Sequence, residues 1–358
     1  MGLTANVGPT AGGTGRILAV ETSCDETAVA VVEQGRRIVA NAVASQVALH
    51  AATGGIVPEV AARAHLRWMI PVLEEARSQG RLEDWSSVEA VAVTEGPGLA
   101  GSLLVGISMA KTLAWVHDLP LVPVNHLEGH IYAAWLLDPG EPDRPEPEFP
   151  LVALVVSGGH TFLVEMSGHL TYRLLGQTVD DAAGEAFDKV GRLLGLPYPG
   201  GPSIMRAAVA AEQRERRFPR AWLGDSFDFS FSGLKTAARR AVEAESRGTG
   251  PLPERLVAEL AYAFQESVVD VLVTKTALAA ERSGARTIIL GGGVAANTVL
   301  RQRLADRAVA LGIPLIVPRP ALCTDNAAMI AAAGFFRARA GARAAPELDA
   351  RPSLKLAV

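Results

Sequence analysis

Residues 16–32 read Arg16-Ile17-Leu18-Ala19-Val20-Glu21-Thr22-Ser23-Cys24-Asp25-Glu26-Thr27-Ala28-Val29-Ala30-Val31-Val32. Two short apolar runs flank a polar segment, which is the pattern of a strand, a turn and a second strand. The same pattern returns in the second half. Leu151 to Val156 is apolar, Ser157-Gly158-Gly159-His160-Thr161 is the turn, and Phe162-Leu163-Val164 follows. Two such openings, one in each half, predict a duplicated architecture. Asp138 to Pro150 lies between them, rich in proline and acidic residues, and reads as a linker.

Outward from these openings, each half supplies helices and further strands. Pro58 to Arg77 has an amphipathic helical pattern that Pro71 should interrupt, and Val88 to Val93 reads as a buried strand. Pro120 to Val124 is a strand running into Asn125 and a helix. In the second half Pro253 to Arg282 is helical, Thr287 to Leu290 and Ile313 to Val317 are strands, and Asn326 to Arg339 is the last helix. Alternating strands and helices predict an α/β fold, with ligand groups gathered beyond the carboxyl ends of strands. The expected division is a loose tail over 1–15, a first lobe over 16–137, the linker over 138–150, a second lobe over 151–325 and a frayed tail over 340–358. The helix 326–339 is expected to pack back on the first lobe, with a cleft between the lobes.

With 358 residues, 49% of them hydrophobic, the chain can bury a core of about two ordinary domains. No apolar run reaches the roughly 18 residues of a membrane span. The first residues lack the basic start and apolar stretch of a secretory signal. Cys24 and Cys323 are too few for a disulfide framework, so two free thiols and a cytoplasmic location are expected. The net charge of −4 excludes a protein that coats nucleic acid by bulk electrostatics. Any RNA must be held with help from another protein or meet a local patch such as Arg214, Arg216, Arg217 and Arg220, or Arg239 with Arg240, although such runs are more often solvated helix faces.

His126 and His130 stand in Asn125-His126-Leu127-Glu128-Gly129-His130, at a junction of strand and helix. Four residues turn a helix by about 400°, so both imidazoles share one face. Gly129 inside that helix costs roughly 1 kcal/mol against alanine, which a bound ion or a close ligand would offset. Asp325, in Cys323-Thr324-Asp325-Asn326, is the candidate third ligand; its ordinary alternative is a helix N-cap. Two histidines and a carboxylate match a facial triad with open positions, suited to one divalent ion, Fe(II) or Zn(II), more than to Mg(II). A zinc peptidase would place glutamate directly after the first histidine. Glu128 comes one position later, about 200° around the helix, and so points away from the ion.

Glycine clusters follow several strands. Ser157-Gly158-Gly159 lets backbone N–H groups approach phosphate oxygens, and Gly291-Gly292-Gly293 leads toward a helix carrying Asn297. Tyr198-Pro199-Gly200-Gly201-Pro202 reads as a rigid loop able to cover a base or ribose, and Asp188 as an acceptor for ribose hydroxyls. Each cluster alone is more often a plain turn. None matches the P-loop or the dinucleotide fingerprint.

The ordered set of motifs resembles the tRNA threonylcarbamoyladenosine transferase family, formerly described as O-sialoglycoprotein endopeptidases. Glu21 to Thr27, Gly55 to Leu66, Gly96 to Ser102, Asn125 to His130, Ser157 to Thr161, Asp180 to Lys189, Tyr198 to Pro202, Phe229 to Thr236, Gly291 to Asn297 and Cys323 to Asn326 carry the resemblance. His160 is similar to the bacterial branch. The resemblance implies the duplicated fold of the actin, sugar-kinase and heat-shock ATPase superfamily, and a metal on His126, His130 and Asp325. It implies substrate contacts from Val155, Val156, Ser157, Gly158, Gly159, Asp188, Gly201 and Asn297. Some members place a tyrosine ligand before the Ser-Gly-Gly turn, where this chain has Val155 and Val156. The implied reaction moves the threonylcarbamoyl group of threonylcarbamoyl-AMP to N6 of the adenosine beside the anticodon, in tRNAs reading codons that begin with adenine. Asp25 and Glu26 are candidates for proton handling or substrate orientation, or for bracing their turn. Implied partners are tRNA, a shorter paralogue of the same fold and a small P-loop ATPase, the paralogue docking on the helix of Pro58 to Leu66 and the one after Gly98.

Two other functions remain open to the sequence. A phosphotransferase of the same superfamily would hold Mg(II) on carboxylates and carry a general base near a small substrate. A non-enzymatic, nucleotide-driven scaffold would show nucleotide-dependent binding of a partner and form no modified adenosine.

Overall fold

The computed structural model describes residues 14–51, 55–245 and 250–356. Residues 1–13 of the expected loose tail lie outside the described residues, while Gly15 donates its N–H to Glu89 at 2.6 Å. Contacts divide the chain into two units, one from Met1–Glu146 with Asp325–Ala357 and one from Pro147–Thr324.

The first unit opens with β1 (Arg16–Glu21), β2 (Glu26–Glu33) and β3 (Arg37–Ser45), followed by α1 (Val47–Ala51) and α2 (Pro58–Gly80). Then come β4 (Val88–Gly96), α3 (Ala100–Val116), β5 (Leu121–Asn125) and α4 (His126–Tyr132). The second unit contains β6 (Leu151–Val156), β7 (Thr161–Gly168), β8 (Thr171–Gln177), α5 (Ala183–Leu193), α6 (Gly200–Val209) and α7 (Ser232–Glu245). It continues with α8 (Glu254–Arg282), β9 (Thr287–Gly291), a 3₁₀ turn (Gly293–Ala296), α9 (Thr298–Leu311), β10 (Leu315–Ile316) and α10 (Pro320–Cys323). The last helix, α11 (Ala327–Arg339), belongs to the first unit.

Each unit is built on a five-stranded mixed sheet. The first runs β3-β2-β1-β4-β5, and the second, read in the same sense, β8-β7-β6-β9-β10. β1 is antiparallel to β2, with Val20 opposite Val29, and parallel to β4, with Val20 opposite Val93. β6 repeats this, antiparallel to β7 and parallel to β9. The strands most enclosed are continuous apolar runs, because both faces are covered. Val91 and Val93 of β4 pack with Leu103 and Ile107 of α3, and in the second unit Leu154 packs in one cluster with Phe187 and Phe264. Ala327 to Gly334 of α11 are all buried against the first sheet. Small side chains permit that approach: a Cβ on Gly334 would come within 2.6 Å of the Ala92 Cβ.

Three local expectations change. α2 runs through Pro71 unbroken, since Pro71 lies on its exposed side and Met69, Val72, Leu73 and Ala76 bury the other. Water can serve the carbonyl that the missing N–H leaves unbonded, and burial outweighs the lost bond. β10 has two residues, not five. The Ile313 N–H returns to Ala308 O at the end of α9, and Pro314 has no N–H to give. The tail beyond 340 is not frayed through Leu356. Ala344 N–H bonds Leu121 O, Arg351 N–H bonds Glu95 O, Lys355 O accepts from Asn125 Nδ2, and Leu356 is buried.

Candidate metal centre

β5 delivers Asn125 to the start of α4, where its Oδ1 accepts from the Leu127 N–H at 2.9 Å and caps the helix. His126 and His130 therefore occupy successive turns of α4, with ring centroids 4.7 Å apart and planes at 78°. At the start of α11 the cap is Asn326, whose Oδ1 accepts from the Met329 N–H at 3.0 Å. Asp325 is thus outside the capping register. Its Oδ1 lies 3.5 Å from His126 Nε2 and 3.3 Å from His130 Nε2. One ligand atom from each of the three residues lies within 4.8 Å of the other two, all inside the first unit.

This donor set accommodates a divalent cation. Both ring nitrogens of His130 are buried without a hydrogen-bond partner among the described residues, Nε2 facing Asp325 without hydrogen-bond alignment. Leaving such atoms unsatisfied costs about 1–3 kcal/mol each, and a cation on Nε2 would remove one of those costs. Imidazole nitrogen with one carboxylate suits Fe(II) or Zn(II) chemistry.

Glu21, which the sequence reading passed over, lies against this cluster. It is fully buried at the end of β1, and its Oε2 is 3.1 Å from His126 Nδ1. It also accepts from the Ser23 N–H and, at 2.6 Å, from the Thr94 hydroxyl. Burial pushes the Glu21 carboxyl up, but the His126 charge and hydrogen bond outweigh it and hold the group below its usual range. Burial pulls His126 down, while Asp325 and Glu21 together raise it to about 9. The available signal was a carboxylate ending an otherwise apolar strand, which demands a buried partner.

The neighbouring turn holds Asp25, buried, and Glu26, which accepts from the Ser45 hydroxyl at 3.1 Å. Burial first, then the charges of Asp325 and Asp25, push the Glu26 carboxyl up to about 10. Glu26 is therefore neutral near pH 7, and suited to donating a hydrogen bond. The same burial raises the Cys24 thiol, and both cysteines are free.

Glu128 points away from the histidines, as its spacing predicts, and accepts from the Arg337 guanidinium of α11. The reason for Gly129 differs from the expected one. A Cβ there would meet Ile330 Cδ1 at 2.7 Å and Met329 Cγ at 3.2 Å, so the glycine serves the close packing of α4 on α11.

In the second unit the expected nucleotide residues gather around the carboxyl ends of β6 and β9. Val155 and Val156 are fully buried, leaving only their main chain for contact. Gly158 and Gly159 are exposed, with open space where a Cβ would stand. The Gly184 N–H bonds Ser157 O, and a Cβ on Gly292 would lie 2.4 Å from Val156 O, so the three glycine-bearing segments meet. Gly200 and Gly201 form the first turn of α6 and are not a loop. Asp188 spends Oδ1 on the Gly200 N–H at 2.7 Å. Asn297 caps α9 through Oδ1 and donates Nδ2 to Gln265, so both ends of its amide are engaged. Among the arginines, Arg216 pairs with Glu245, Arg220 with Asp270 and Arg239 with Glu243, and Arg214 lies over the Tyr262 ring. These pairings match the solvated-face reading better than a bare cationic patch.

Comparison with known proteins follows the same lines. Residues 37–332 match the family model of tRNA N6-adenosine threonylcarbamoyltransferase. Proteins of that name from Thermomicrobium roseum and Symbiobacterium thermophilum are 54% and 53% identical to the chain. The first match covers 95% of this chain and 96% of the relative, the second 96% and 98%. Among solved structures, HypF from T. kodakarensis superposes with a TM-score of 0.59 at 14% identity, over 91% of this chain and 48% of that one. A full-length HypF in its phosphate- and nucleotide-bound form gives a TM-score of 0.57 at 14% identity, over 91% and 46%. These two structures share the chain's α/β fold. Matched over nearly its whole length at this identity, the chain belongs to the tRNA N6-adenosine threonylcarbamoyltransferase family.

Proposed function

We propose that the chain transfers the threonylcarbamoyl group of threonylcarbamoyl-AMP to N6 of adenosine 37 in tRNA, releasing AMP, at a cation held by His126, His130 and Asp325. The observation that carries the reading is the convergence of those three side chains from α4 and the start of α11 in a chain of this family. When bound, the cation acts as a Lewis acid on the carbamoyl carbonyl. Two imidazoles and one carboxylate favour Fe(II), then Zn(II), over the Mg(II) of a phosphotransferase.

The remaining work falls to the protein. The exposed Ser157-Gly158-Gly159 turn, Gly201 in the first turn of α6, and main chain at Val155 and Val156 hold the AMP half. Asp188 and Asn297 support that surface through the Gly200 N–H and the α9 cap, and contact the ligand with what remains free of them. The N6 amine attacks the carbamoyl carbon, the carbon–oxygen bond to phosphate breaks, and AMP leaves with the electron pair. N6 loses one proton, and Asp25 and Glu26 handle it or orient the amine, with neutral Glu26 suited to the donor part. An adenine in an unpaired loop is accessible to such a site without duplex opening.

Partner docking has a candidate face. Leu66 and Ile70 on α2 and Leu104 and Trp115 on α3 are exposed, Trp115 to 85%, and the two helices pack together. A same-fold paralogue docked there, with a small ATPase, would complete a cytoplasmic assembly, and the isolated chain would turn over weakly. The test is transfer from purified threonylcarbamoyl-AMP to unmodified tRNA, read by nucleoside mass spectrometry with partners and Fe(II) supplied. The His126→Ala/His130→Ala double variant should form no modified adenosine. Undiminished product would overturn the proposed centre.

A further inference from the structure

His126 and His130 differ in what stands behind them. The His126 ring has a carboxylate at its far nitrogen: Glu21 Oε2 lies 3.1 Å from Nδ1, on the side opposite the Nε2 that faces Asp325. That carboxylate is itself fixed, by the Ser23 N–H on Oε1 and the Thr94 hydroxyl on Oε2, in a fully buried position. A carboxylate oxygen that already takes the Thr94 proton can only accept from a third neighbour, so Nδ1 carries a proton, and Nε2 is the nitrogen that offers its lone pair once its own proton gives way to a cation. Ser23 Oγ, also 3.1 Å from Nδ1, adds a second acceptor for the same N–H. On His130 the Nδ1 has no hydrogen-bond partner among the described residues, and only the Nε2 side faces a carboxylate, that of Asp325.

We infer that Glu21 is the positioning residue of the metal centre: it holds the tautomer and ring plane of His126 so that Nε2 is presented to the cation, with Thr94 and Ser23 holding Glu21. The inference rests on the metal reading proposed above. Its physical basis is general, since a carboxylate behind a metal-bound imidazole fixes the ring and raises its basicity, and removing it weakens metal binding roughly 10–100-fold. His130 receives its orientation instead from packing, edge-on to His126.

The experiment titrates Co(II) and Zn(II) into the metal-free full-length chain against a chromophoric chelator. It compares the parent with Glu21→Ala, Glu21→Gln, Thr94→Val and His130→Ala, and checks folding of each by circular dichroism. Glu21→Ala should weaken both ions roughly 10–100-fold and alter the visible spectrum of bound Co(II). Glu21→Gln, whose amide oxygen still accepts the Nδ1–H, should recover most of the affinity. Thr94→Val keeps the volume but frees one side of the carboxylate, and should weaken binding by about threefold, a small part of the same effect. A folded Glu21→Ala protein that matches the parent in affinity and spectrum overturns the inference, as does a folded Glu21→Gln that fails as fully as the alanine variant. Should Glu21→Ala not fold, Thr94→Val decides the matter: a folded Thr94→Val protein with the parent's affinity and spectrum overturns the inference. A parent chain that takes up neither ion would instead overturn the metal centre itself. The His130→Ala control, which should lose binding, separates these two failures.

Discussion

The Glu128 carboxylate, fully buried, accepts a hydrogen bond from the Arg337 guanidinium, joining α4 to α11 on the side away from the histidines. Removing one partner of such a pair costs about 3 kcal/mol or more when buried; Arg337 keeps some access to water, so about 2–3 kcal/mol is expected. Glu128→Ala should therefore lower stability in urea denaturation while leaving the metal dissociation constant within about twofold of the parent, because the carboxylate touches no ligand. A variant that keeps its stability but loses the metal would reverse that assignment.

Asp325 and Asn326 divide two tasks that adjacent residues could have exchanged. Asn326 caps α11, and Asp325 faces the histidines. Asn326→Ala should cost about 1 kcal/mol of stability by loss of the cap. Asp325→Ala should leave α11 capped, keep the melting temperature near the parent's in the metal-free state and abolish metal uptake. Calorimetry with and without Zn(II) distinguishes the two, and equal stability losses with equal metal affinities would contradict the division.

Much of this arrangement was legible in the chain. The apolar runs Ile17–Val20 and Leu151–Val156 mark the central strands because both faces of each are covered, so periodicity and length alone identify them. The spacing of His126 and His130 fixes their common face by helix geometry. Asp325 carries two readings in the sequence, ligand and helix cap, and only the Asn326–Met329 bond shows the capping register displaced by one residue. Glu21 was missed because a side chain at a strand end can point several ways, and its partners Thr94 and His126 lie far along the chain. Gly129 was read toward a ligand when the neighbour was Ile330, a contact visible only once α11 is placed. The C-terminal segment was expected to fray because alanine, arginine and proline carry no periodic signal. Its order comes from backbone groups pairing with Glu95, Gly98 and Leu121, which composition does not encode.

Asp180 supplies a pH-dependent tie in the second unit. Its carboxylate accepts from the Ser230 and Ser232 hydroxyls at 2.5 and 2.6 Å and from the Phe231 N–H at 2.8 Å. Burial pushes its carboxyl up, but these bonds outweigh it and hold the group below the usual aspartate range. A folded-state value below the unfolded one contributes stability above the unfolded value near 3.8 and loses it as the pH falls through the folded one. Asp180→Asn should cost about 1 kcal/mol at pH 7, a figure already discounted for the exposure of the site. Denaturation at pH 7 and again below pH 3.8 should show that difference shrinking toward zero at the acid end. A difference constant across that window would assign the effect to shape instead of charge.

The C-terminal segment closes over the turn at Gly96. Gly96 holds a φ of +154°, and a Cβ there would stand 2.0 Å from Arg351 O and 3.1 Å from the Leu354 Cβ. The same segment accepts from the Gly98 N–H through Pro352 O and donates the Arg351 N–H to Glu95 O. Backbone on both sides leaves no flexible side chain to give way, so Gly96→Ala must displace one of the two segments. β4 is held in the sheet by β1 and β5 on its two sides, whereas residues 344–356 are held by a few bonds, so the tail is the part that moves. Overpacking of this kind costs about 1–3 kcal/mol. Hydrogen exchange should then quicken at Arg351, whose N–H loses its acceptor, and proteolysis should trim the chain back toward Gly341. Helix α11 and the histidine pair should remain protected, since their contacts lie in the sheet and α4. Unchanged exchange at Arg351 in a folded Gly96→Ala protein would show that the strand, not the tail, had yielded.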